Sequence, residues 1–297
     1  MNAHAIKKPL IRQGWLRVLL FCVFYFILLI AGGVIITLLF KSITGNTDNI
    51  TELLNGKFLW LSIVVAVALG LLAVVVFRLV IDRKSLTSLG FKITGYRNEA
   101  IAGFLMAISI LGVGTMILYF SKHLAWTDIT FNANDLFIEL GLLVFVAFYE
   151  EIIFRGYILG NLMESFNKWI ALLISALLFA VFHADNPGIN IIPVLNVFLA
   201  GILLGINYIY TKNLWFAIFF HFGWNFFQGP LLGYKISGFN LLTLLQTELK
   251  GDLLLTGGDF GFEGSVFCTA LVLIASLLLY RAYESREQAA RAEMQMR

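Results

Sequence analysis

Charge is scarce in this 297-residue chain: Asp, Glu, Lys and Arg make up 13% of it, against roughly 25% in an ordinary soluble domain. With 60% hydrophobic residues and a mean hydropathy of +0.87, there is more apolar surface than a soluble core can hide, which excludes a water-soluble globular domain. Cysteine is nearly missing. Cys22 and Cys268 both lie in apolar runs, so no disulfide framework is expected and each reads as a small buried thiol. A cleavable leader is not expected either. Lys7, Lys8 and Arg12 precede an apolar stretch, but residues 18–40 are uncharged for 23 positions, longer than the roughly 7–15 of a signal core, and show no convincing cleavage site. The net charge of +3 is small and the basic residues sit at segment ends, which argues against a nucleic-acid surface. No internal repeat or low-complexity tract stands out.

What is present is a series of apolar runs, several of them reaching the roughly 20 residues a helix needs to cross a bilayer. They predict an all-α polytopic membrane protein with about eight transmembrane helices, at 18–40, 58–77, 100–121, 136–163, 169–182, 189–210, 214–228 and 266–280. Basic residues concentrate in the N-terminal tail (Lys7, Lys8, Arg12), the connection after the second helix (Arg83, Lys84, Lys92, Arg97) and the C-terminal tail (Arg281, Arg286, Arg291, Arg297). Eight helices put all three on one side, so both termini are expected in the cytoplasm. The short loops suit a bacterial inner membrane. Residues 229–264 form a long Gly-containing connection, expected to be a flexible exposed loop, with a fold over the site as the second reading.

The fourth segment interrupts its own hydropathy with Glu139, Glu150, Glu151 and Arg155. A charge at the centre of a membrane helix costs about 2.5–3.5 kcal/mol on insertion scales, so two adjacent glutamates need a reason. Arg155 lies four residues after Glu151, one helical turn, and can neutralise it. Glu150 points about 100° away and is left to face a cavity, where it could accept a proton from water. A buried ion-pair network that merely orients helices would leave Glu150 unexplained. His4 and His123 fall in a tail and a connection, whereas His183 and His221 fall at or within apolar helices. Phe179 and His183 are one turn apart, as are His221 and Asn225. Asn196 and Asn207 read as structural. At about 1.5 Å rise per residue, Glu150, His183 and Asn225 each lie about 13 to 15 residues from the cytoplasmic end of their helices, with His221 shallower, which permits a shared site.

Together, Glu150-Glu151-Ile-Ile-Phe-Arg155, Phe179-Ala-Val-Phe-His183 and His221-Phe-Gly-Trp-Asn225 resemble the EExxxR, FxxxH and HxxxN motifs of the CPBP family, the CAAX prenyl protease and bacteriocin-processing intramembrane peptidases. Each motif is weak alone, but all three in the right order on three apolar helices are specific. The resemblance implies an all-helical fold with an intramembrane active-site cavity and endopeptidase activity on a peptide or membrane-protein substrate. It implies that Glu150, with His183, activates the attacking water, that His221 and Asn225 stabilise the oxyanion, and that Glu151, Arg155 and Phe179 support them. It divides the chain into 1–98, a cytoplasmic tail with two helices, 99–282, a peptidase core, and 283–297, a cytoplasmic tail. Two histidines and a carboxylate are enough for a divalent metal such as zinc, but the sequence has no HExxH, and no obligatory metal is expected. Two other functions are compatible with the composition: a non-proteolytic immunity or scaffold protein that keeps the fold, and a transporter. The intact motifs argue against the first, and the lack of paired interrupted segments argues against the second.

Overall fold

The computed structural model describes residues 8–44 and 57–295. His4, Lys7, Arg297 and most of the connection between the first two helices lie outside the described residues. Among the described residues, eight principal helices appear close to where the apolar runs place them: α1 Gly14–Thr44, α2 Lys57–Val76, α3 Arg97–Phe120, α4 Ala133–Glu151, α5 Lys168–Phe182, α6 Ile191–Thr211, α7 Trp215–Phe226 and α8 Val266–Gln295. Three of them run on as wider π turns: α2 through Phe77–Ile81, α4 through Ile152–Leu159 and then Gly160–Leu162, and α7 through Phe227–Leu231. Phe26, Leu38, Phe120, Phe137 and Phe145 are each more than half exposed. In water such a belt would drive aggregation; against lipid tails it is ordinary solvent contact. The chain is an all-α polytopic membrane protein. By length and composition α1, α2 with its π turn, α3, α6 and α8 can each cross a bilayer. The other three are α4, which carries the charged motif, and α5 and α7, at 15 and 12 residues.

Close helix contacts rest on glycine. A Cβ at Gly103 of α3 would lie 2.2 Å from the Phe216 carbonyl oxygen of α7, and one at Gly201 of α6 would lie 2.9 Å from the Ala176 Cα of α5. Small residues allow such approach, and van der Waals packing then holds the helices where no hydrophobic drive exists between them. At the end of the bundle where α1 begins and α4 ends, a buried ionic cluster ties α1, α2 and α4 together. Arg17 donates to Asp82 (3.0 Å) and Glu164 (2.5 Å), while Arg78 and Asn161 donate to Asp82 at 2.9 and 3.2 Å. Burial opposes ionisation of Glu164, but hydrogen bonds from Lys84 and Arg17 outweigh it and hold its carboxyl below the usual range.

Two expectations are corrected. The last helix does not stop at Tyr280 but continues to Gln295. Its polar extension is rich in good helix formers and docks through Lys168 to Glu287 (3.0 Å) and Arg286 to Glu99 (3.0 Å). The connection 229–264 is not a flexible exposed loop. It contains β2, Leu245–Leu249, which pairs antiparallel with β1, Leu124–Ile129, in the register Leu124↔Leu249 to Ile129↔Leu245, with an irregularity between Trp126 and Asp128. Phe260 and Phe262 within it are fully buried, and a Cβ at Gly114 of α3 would sit 2.1 Å from the Phe262 ring. Aromatic burial, not backbone pairing alone, seats this segment on the bundle.

Candidate active site

The regular α-helix of α4 ends at Glu151 and widens into a π turn from Ile152, so the paired glutamates stand at the junction. Such bulges recur at functional sites because one extra residue per turn re-aims the side chains that follow. As the four-residue spacing predicts, Arg155 Nη1 donates to Glu151 Oε1 at 2.8 Å; Nη2 also donates to the Gly201 carbonyl at 3.3 Å, a link to α6. Glu151 is 0% exposed and Arg155 1%. Arg155 is not the only partner of Glu151: His221 Nδ1 donates to the same Oε1 at 2.9 Å. The carboxylate therefore holds two helices, and it leaves Nε2 of His221 facing the neighbouring Glu150.

His183 is the first residue past α5, and its Nδ1 donates to the Phe179 carbonyl at 2.7 Å. A carbonyl only accepts, so Nδ1 carries the proton and Nε2 presents a lone pair. Phe179 also gains a role that spacing did not reveal. Its ring lies 4.5 Å from the His183 ring and 4.4 Å from the Arg155 guanidinium, which places it between the two. This cation–π contact orients Arg155 where a hydrogen bond would need another acceptor.

These bonds bring three groups together. His183 Nε2 lies 3.8 Å and His221 Nε2 3.9 Å from Glu150 Oε2, an oxygen that is buried and hydrogen-bonded to none of the described residues. Asn225, 5% exposed, lines the same cavity. All seven residues anticipated from the motifs thus converge. His123 pairs with Ser121 away from the site. Asn196 and Asn207 are structural: Asn196 donates to the carbonyls of Glu263 and Ser265, and Asn207 to the Tyr283 hydroxyl.

The cavity measures about 330 Å³ and its walls are mostly apolar, within the range of small-ligand sites. Two contributions had no signal strong enough to find in the sequence. Tyr25 of α1 shares a 2.5 Å hydrogen bond with Tyr149 and stacks on Phe182 at 5.7 Å, so the first helix helps to build the site. Glu263 of the long connection lines the cavity as well, although nothing around it looked reactive. The available hints were a lone hydroxyl in an uncharged run and an acid in a Gly-rich one.

The atoms that would hold a divalent metal are Glu150 Oε2 and the two Nε2 atoms. Tetrahedral zinc, with bonds of about 2.0–2.1 Å, brings its ligand atoms to roughly 3.3 Å from one another. The observed separations are wider, and no group of three His, Cys, Asp or Glu among the described residues meets metal-site geometry. A water molecule fits the wider spacing. This donor set does not fit tetrahedral zinc as arranged.

Residues 132–227 match the family described as Type II CAAX prenyl endopeptidase Rce1-like, a stretch that runs from α4 through α7 and holds all three motifs. A protein of Bacillus subtilis (strain 168) named "Putative membrane peptidase YdiL" is 29% identical over 227 residues, covering 73% of this chain and 87% of that protein. Over the stretch that carries its three motifs, the chain is similar to the CPBP family of intramembrane peptidases. Both similarities support an intramembrane protease, in keeping with acid and imidazole groups gathered inside an apolar bundle. No solved structure matches the chain.

Proposed function

We propose that this protein is an intramembrane endopeptidase that hydrolyses a peptide bond of a membrane-associated or CAAX-like peptide or protein, through a water activated by Glu150. The observation that carries the reading is the approach of two imidazole Nε2 atoms to within 3.8 and 3.9 Å of one unpaired buried carboxylate oxygen. Glu150 takes a proton from the water as its oxygen attacks the scissile carbonyl carbon. His183, its tautomer set by the Phe179 carbonyl, accepts the second O–H and orients the attack. The carbonyl electrons move to oxygen, and that oxyanion meets donors from Asn225 and from His221 protonated at Nε2. Each donor is worth about 2.7–4 kcal/mol in comparable sites. Glu151 offsets the charge that His221 then carries. As the C–N bond breaks, Glu150 returns its proton to the leaving amine. The apolar walls strengthen every one of these interactions by keeping bulk water away. No step uses a metal ion.

The protein works in the bacterial inner membrane with both termini cytoplasmic. Support comes from Arg12, Arg83, Lys84, Lys92, Arg97 and Arg281, which an eight-helix topology puts on one side of the membrane, the side where positive charge is retained.

The test is mass spectrometry of membrane peptides from cells expressing wild type or Glu150→Ala at matched levels. Products that appear only with wild type are expected, and they name the substrate. Identical product profiles from two folded proteins would overturn the proposal.

A further inference from the structure

Glu263 is a carboxylate at the cavity wall that takes part in no ion pair among the described residues. The backbone on both sides of it is already held: Asn196 Nδ2 donates to the Glu263 carbonyl at 2.7 Å and to the Ser265 carbonyl at 2.9 Å, and the neighbouring Phe262 ring is fully buried. The side chain turns instead into the cavity that holds Glu150. Three neutral donors fix its direction. Trp224 Nε1 donates to Oε1 at 2.9 Å, and the Ser237 backbone N–H and hydroxyl each donate to Oε2 at 2.8 Å.

Neutral donors orient a carboxylate without neutralising it. Glu151 is paired with Arg155, and Asp82 with Arg17 and Arg78, but no Lys, Arg or His among the described residues forms an ion pair with Glu263. Glu263 is part-buried at the cavity wall, and a charged group that faces a cavity without a cationic partner is placed to meet a ligand. Its location suits that use. Trp224, which holds one carboxylate oxygen, is the residue before Asn225, the oxyanion donor of the proposed reaction, and Glu263 and Asn225 line the same cavity.

We propose that Glu263 is a specificity-determining residue that selects a substrate carrying a cationic side chain, Lys or Arg, close to the scissile bond on the Asn225 side. The inference rests on the peptidase reading and goes beyond it, because nothing in the three motifs specifies a charge on the substrate. A carboxylate whose orientation is already set loses little freedom on meeting a cation, and low local dielectric makes the match count.

The experiment uses the purified full-length chain in detergent with an equimolar library of randomised decapeptides, the products being sequenced by mass spectrometry. Wild type should enrich Lys and Arg at least tenfold at one position relative to the cut. Glu263→Gln should still cleave but lose that enrichment, and Glu263→Lys should shift it toward Asp and Glu. Glu263→Asp, which keeps the charge, should retain the preference and covers the case in which Gln does not fold. On single peptides, KM for a Lys-containing substrate should rise at least tenfold in Glu263→Gln while that of its Gln-containing analogue stays put. Equal losses on both peptides, or no cationic preference in wild type, would overturn the inference and leave Glu263 as a loop staple. Glu150→Ala should yield no products at all; products that persist in it would instead sink the peptidase reading, and this inference with it.

Discussion

Replacing Arg155 by Ala probes the ion pair on which the site is built. The guanidinium is 1% exposed and reaches three partners at once: Glu151, the Gly201 carbonyl and the Phe179 ring. Without it, Glu151 is a fully buried anion whose remaining partner is His221. Breaking one side of a buried pair costs about 3–5 kcal/mol, because the orphaned charge cannot reach water, and the lost cation–π contact adds roughly 0.5–2 kcal/mol. Against a typical total stability of about 5–15 kcal/mol, a large fraction should disappear. The measurement is equilibrium unfolding in mixed micelles followed by tryptophan fluorescence. Replacing both partners, Glu151→Gln with Arg155→Met, leaves no orphaned charge and should restore part of the stability. Peptide cleavage should nevertheless stay low, by roughly 10²–10⁴-fold, since a carboxylate that orients a histidine is lost. A loss below about 1 kcal/mol in Arg155→Ala, or a double variant less stable than the single one, would refute the reasoning.

Three further outcomes are expected. Asn225→Ala should lower kcat by about 10²–10³-fold with KM little changed, as removal of one oxyanion donor does; an unchanged kcat would remove Asn225 from that role. Gly103→Val should destabilise the bundle by more than about 1–3 kcal/mol, because the atom its Cβ would meet at 2.2 Å is backbone carbonyl oxygen of Phe216 and cannot rotate away; wild-type melting in detergent would contradict the tight α3–α7 contact. Treatment of the purified protein with a strong zinc chelator should leave cleavage intact, whereas loss of activity that returns on adding zinc would show that the donor set closes around a metal in the working enzyme.

Local regularities made much of this protein legible in its residues. The lengths of the apolar runs located eight helices to within a few residues at most ends, because hydrogen bonding within the backbone leaves a membrane segment few alternatives. Helical periodicity put Arg155 beside Glu151, Phe179 beside His183 and His221 beside Asn225, since contacts three or four residues apart depend on nothing outside the helix. What periodicity could not reach are the contacts between distant positions. His221 pairs with Glu151 across 70 residues of sequence, Tyr149 meets Tyr25 across 124, and Glu263 is held by Trp224 across 39. Each is set by how helices pack, and packing here follows glycine contacts and buried rings that leave no repeating pattern in the chain. The π turn after Glu151 belongs with them, for the tertiary structure alone decides where a helix takes its extra residue. Chemistry-bearing residues were therefore visible in the sequence, while their partners, tautomers and cavity came from the fold.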